Sequence, residues 1–133
     1  MSFIHRSAGA AALAVALLAR IVGADAAAGD YHFELVGNPE AATGKSIVAL
    51  RLTHAPDDKP VAGAVIIQTR ADMGPEGMKE MTAPVKALPP KDPGIYRFEI
   101  EPGMAGGWML TLAAKVQGEA ETVKGAVTVK LSK

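Results

Sequence analysis

The chain has 133 residues, no cysteine, and 14 Lys and Arg against 14 Asp and Glu. A net charge near zero speaks against a nucleic-acid binder and against a polybasic membrane-surface protein. Without cysteine there are no disulfides and no thiolate metal sites.

Residues 1–28 read as an export signal. His5 and Arg6 make a short basic start, and residues 7–19 are small and apolar. Ala24-Asp25-Ala26 and Ala26-Ala27-Ala28 offer two cleavage sites. The apolar run stops at Arg20, well short of the roughly 20 residues that span a bilayer. The expected product is a periplasmic domain, residues 29–133, with no membrane span after cleavage and enough chain for one core, and an uncleaved anchor is the weaker reading.

Strand signals then recur at roughly ten-residue spacing with turn residues between them. Residues 31–36 alternate and stop at Gly37-Asn38-Pro39. Residues 46–53 place Val48, Leu50 and Leu52 on one face and break at His54-Ala55-Pro56. Residues 64–69 follow Lys59-Pro60. Residues 82–88 make a weak strand, because Pro84 removes a ladder donor and suggests an edge. After the turn at Pro93-Gly94, residues 95–101 direct Tyr96, Phe98 and Ile100 one way. Residues 108–116 put Trp108, Leu110, Leu112, Ala114 and Val116 on one face, and residues 123–131 alternate through Val127, Val129 and Leu131. About seven strands and no amphipathic helix predict an all-β fold, an immunoglobulin-like sandwich, with a small Greek-key barrel as the rival.

The sequence holds no recognisable catalytic motif: there is no GxSxG elbow, phosphate loop or HExxH. The methionines stand out instead. Met73, Met78 and Met81 fall in ADMGPEGMKEM, and Met104 and Met109 flank Trp108 in GMAGGWM. Both stretches are rich in Gly, Pro and charge, so they read as loops, where a thioether packs little. A thioether is a soft ligand suited to Cu(I). Because adjacent strand residues face opposite ways, an inward Trp108 turns Met109 outward and leaves Met104 as the partner of the first segment. The candidate metal site is therefore Met73, Met78, Met81 and Met104, with His54 as an imidazole accessory and Trp108 as a π-face cap. The rival view is that methionines fill irregular gaps at the end of the sandwich, that His54 is solvated, and that Trp108 is core.

Residues 92–119, DPGIYRFEIEPGMAGGWMLTLAAKVQGE, and residues 59–78, KPVAGAVIIQTRADMGPEGM, resemble the FixH/YtkA-like domain family. The shared features are a Pro-Gly-x-Tyr turn, a Met-Ala-Gly-x-Trp turn and an upstream Lys-Pro-Val segment. The resemblance implies an immunoglobulin-like domain outside the cytoplasmic membrane, associated with copper through cbb-type oxidase assembly or heavy-metal efflux. A cleavable start departs from the anchored FixH branch and favours a soluble periplasmic protein near an efflux adaptor. The expected function is a non-catalytic copper-binding or copper-delivery protein. The alternative is an interaction module that assists an efflux adaptor or oxidase assembly without binding metal.

Overall fold

The computed structural model describes residues 27–133. All but the last two positions of the expected signal lie outside the described residues. A short 3-10 turn, Ala27–Asp30, leads into ten strands: β1 (Tyr31–Leu35), β2 (Glu40–Ala42), β3 (Lys45–His54), β4 (Lys59–Pro60), β5 (Val65–Met73), β6 (Met78–Ala83), β7 (Val85–Leu88), β8 (Ile95–Ile100), β9 (Gly106–Lys115) and β10 (Val123–Leu131). All pairings are antiparallel. One sheet runs β1-β3-β8-β7, with β2 and β4 added to β3, and the other runs β10-β9-β5-β6. Two separate sheets with open edges make this the expected sandwich and not the barrel.

The alternating apolar positions meet between the sheets. Val48, Leu50, Phe98 and Ile100 face Ala71, Met73, Trp108, Leu110, Leu112, Val129 and Leu131 in one buried cluster. A second cluster toward the other end joins Leu52, Val116 and Val123 with Tyr31, Phe33 and Tyr96 at its margin. All five residues expected on one face of residues 108–116 are buried, four of them on β9 and Val116 just after it.

The expected strand over residues 82–88 divides in two. Pro84 sits at the division, where it can donate nothing to a ladder. Before it, Ala83 pairs with Ala71 in one sheet; after it, Val85 pairs with Ile100 in the other. The chain changes sheets at the proline, as strands do at sandwich corners. β2 and β4 are the other additions to the expected set. Both are short hairpin partners of β3 and too brief to leave a period in the sequence.

Two turns are locked together at one end. Gly94 is buried with φ +80°, and a β-carbon there would lie 2.6 Å from Pro60 Cβ. Two residues on, the Tyr96 hydroxyl donates to Val61 O at 2.7 Å and accepts from Ala64 N at 3.0 Å. This clasp fixes the turn before β5 against the start of β8, much as a tyrosine corner does in other sandwiches.

The ring of Phe33 on β1 lies over Gly125 on β10, where a β-carbon would come within 2.6 Å of Phe33 Cδ2. Gly125→Ala is therefore an overpacking change. It should lower unfolding stability by about 1–3 kcal/mol, seen as a lower denaturant midpoint with an unchanged slope. An unchanged midpoint would contradict this packing.

Candidate functional site

The two methionine segments meet at one end of the sandwich. Met73 ends β5 and Met78 begins β6, and they are cross-strand partners. Only residues 74–77 lie between them, as a 3-10 turn, Gly74–Glu76, closed by Gly77 in the left-handed region at φ 78°. The ladder pairs Asp72 with Thr82 and then Met73 with Met78. Lys79, Glu80 and Met81 therefore have no opposing residue on β5 and bulge outward. The loop expected here is mostly strand. Its polar composition belongs to an edge strand with little buried face, which leaves no apolar period to read.

A small polar network shapes the turn. Asp72, 7% exposed, accepts from Gly74 N at 2.8 Å and from Arg70 Nε at 3.2 Å. Arg70 also donates to Lys79 O at 3.0 Å, which ties down the bulge. Asp72 is thus a structural acceptor that organises the turn.

The second segment closes against the first. Gly107 N donates to Glu76 Oε2 at 2.8 Å. A β-carbon on Gly106 would lie 3.0 Å from Met73 Cε and 3.2 Å from Glu76 Oε2, and one on Gly107 would lie 3.3 Å from Pro75 Cβ. Gly106 has φ +144°, a conformation that L side chains rarely adopt. Two consecutive glycines let the turn approach the strand backbone. Just before them, Met104 O accepts from Trp108 Nε1 at 3.0 Å.

The methionines differ in access. Met73 is 1% exposed and belongs to the core, so for this residue the packing view describes what is seen. Met78 is half-buried against the core, while Met81 and Met104 are 38% and 42% exposed. Trp108 is core at 1% exposure and positions the Met104 turn through its ring N–H. Met109 lies on the opposite face of β9 from Trp108, paired with Asp72 and Thr128. It takes no part in the methionine end.

His54 is elsewhere. It ends β3 and stacks at a tilt on Tyr31, with ring centroids 5.0 Å apart. The Tyr31 hydroxyl donates to Glu119 Oε2 at 2.7 Å, beyond the far end of β9. The length of that strand, about 30 Å at ~3.3 Å per residue, separates His54 from the methionines. The expected union of imidazole and thioethers is therefore not built: His54 ends β3 at the opposite end of the sandwich. There His54 Nδ1 lies 3.0 Å from Asp57 Oδ1, and this hydrogen bond holds the Asp57 carboxyl below the usual carboxylate range. Burial and the Glu119 contact push the Tyr31 phenol up to about 12. Among the described residues, no three His, Cys, Asp or Glu side chains are arranged to hold a metal ion. Nor is any described helix long and apolar enough to cross a membrane.

A profile of the YtkA-like family matches residues 25–113. The chain belongs to the YtkA-like family. No curated protein and no solved structure matches it. The matched stretch takes in the Lys59-Pro60 and Pro93-Gly94 turns, the methionine turn and most of β9. β10, which completes the second sheet, follows it.

Sequence reasoning missed Glu76 and the Gly106-Gly107 pair. The available signal was the glycine doublet at a strand start, which marks close backbone approach. Glu76→Ala removes the acceptor of the Gly107 amide. Hydrogen exchange at Gly107 should then quicken by roughly fivefold, about 1 kcal/mol, while Glu76→Gln should retain most of the protection. Equal protection in wild type and Glu76→Ala would remove Glu76 as the tie between the segments.

Proposed function

We propose that this domain is exported and carries Cu(I) as cargo, held by thioethers at the methionine end of the sandwich. The ligand set is Met73, Met78, Met81 and Met104. The observation that carries the reading is the meeting of two methionine segments far apart in sequence. Met73 faces Met78 across the ladder, and its methyl carbon reaches Gly106, two residues from Met104.

The chemistry of the donors supports copper in its reduced state. The chain has no thiolate to offer, and thioethers favour a soft ion over Mg²⁺ or Ca²⁺. A thioether carries no proton at neutral pH, so binding would persist into acid. Met81 and Met104 give the ion a path to and from water, and Met73 supplies an inner donor at the floor. Trp108 serves by fixing the Met104 turn, and His54 stands outside the set. Delivery to a periplasmic heavy-metal efflux adaptor, or to a partner in cbb-type oxidase assembly, is what the family resemblance implies.

A second reading rests on the burial of Met73. If these side chains act only in packing and contact, the same end is an adaptable protein-binding surface without metal.

The two readings separate in an anaerobic Cu(I) competition against a chromogenic chelator. The Met78→Ser, Met104→Ser double variant spares the core residue Met73. It should bind at least about tenfold more weakly than wild type, about 1.4 kcal/mol, and Met109→Ser should bind as wild type does. A wild-type domain that fails to compete, or a double variant that competes equally, overturns the copper reading.

A further inference from the structure

We propose that the free edge of β5 takes up an extended segment of another polypeptide, which adds a strand to the second sheet. This surface is independent of the methionine end. β6 pairs with β5 only at Ala71, Asp72 and Met73. Among the described residues, Val65 to Arg70 pair with β9 on one side and with no strand on the other. Its outward N–H and C=O groups are a template for a new strand.

The sheet edges are not treated alike. β7 is flanked by Pro84 and Pro89-Pro90 and carries Lys86, β10 carries Lys124 and Lys130, and β1 carries His32 and Glu34. Charges and prolines of this kind block strand addition. β5 offers Val65-Ile66-Ile67-Gln68-Thr69, without a charge or a proline. Val65 is 60% and Ile67 51% exposed, whereas Ile66 packs toward the core. A bulge between Ile66 and Gln68, on the side of β9, turns Ile67 outward. The edge is therefore apolar on both faces.

Beside this edge the sandwich is open. The chain left the second sheet at Pro84, so β7 runs in the other sheet and a groove remains between the two strands. Two adjoining hollows of about 310 and 180 Å³ share Ala64, Pro90 and Tyr96. Ile66, Leu88 and Phe98 complete the apolar walls of the smaller one. A strand laid along β5 would direct alternate side chains into this groove and bond its main chain to the edge, the mode called β-augmentation.

Charge indicates the kind of segment. Lys91 and Arg97 line the hollows against one carboxylate, Asp92. Neither cation makes an ion pair among the described residues. The occupant that fits is an extended partner segment with alternating apolar side chains and terminal carboxylates. Pairing of β5 with its own copy would set two cationic rims against each other.

The probe is an acetylated eight-residue peptide of alternating valine and threonine with glutamate at both ends, titrated into the full domain and followed by amide NMR. Saturable shifts and slowed amide exchange at Val65–Arg70 are expected, with little change at Met78 and Met104. Lysine-ended and backbone N-methylated versions should bind at least about tenfold more weakly. Ile67→Lys should abolish binding while the spectrum of β9 and β10 stays native. Three results would each overturn the proposal: no shifts at β5 at millimolar peptide, equal binding by the N-methylated peptide, or a domain already dimeric through this edge by sedimentation.

Discussion

The close approach of Pro75 and Glu76 to the backbone of Gly106 and Gly107 is the constraint on which the methionine end depends. Any side chain at either glycine would meet the turn within 3.3 Å. With glycine at both positions the turn descends, Glu76 accepts from Gly107, and the Met73 methyl fills the remaining space under Gly106. The contact converts two segments about thirty residues apart into one surface. Its other supports are local: Asp72 holds the start of the turn, Gly77 reverses the chain, and Trp108 pins Met104.

The residues that carry the family resemblance turn out to be mainly architectural. Gly94 exists for its contact with Pro60, Tyr96 for its hydroxyl clasp on Val61 and Ala64, and Trp108 for its core position and its bond to Met104. In the Lys-Pro-Val, Pro-Gly-x-Tyr and Met-Ala-Gly-x-Trp stretches these contacts brace a turn against another part of the sandwich. Of these stretches, only the last supplies a proposed ligand, Met104. The chemistry of the proposed site comes from the methionines set on that frame, and binding could be lost there while the fold persisted.

Much of this frame was legible in the sequence because its strands are half-buried and alternate. The faces of β8, β9 and β10 follow directly from Phe98, Trp108 and Val129 at every second place. The opposite facing of Trp108 and Met109 followed from the same period. What failed to show is what alternation does not encode. β6 has little buried face, so Met78 and Met81 looked like loop residues. The role of Asp72 does not show in the sequence, because a buried carboxylate paired with Arg70 and Gly74 leaves no local signature. The distance of His54 from the methionines does not show either, because strand order, which decides which turns share an end, is a long-range property. Pro84 did announce a fault in its strand, but the change of sheet could not be told from a simple edge.

The central claim is that methionines from both segments hold one Cu(I) ion together. Its most direct test is a titration of the full domain carrying carbon-13 methionine methyl labels with Cu(I), under reducing conditions without oxygen. The methyl signals of Met73, Met78, Met81 and Met104 should move together and saturate at the same equivalence point, while that of Met109 stays in place. Unmoved signals, or shifts spread equally to Met109, would contradict the account and leave the methionine end as packing and contact surface.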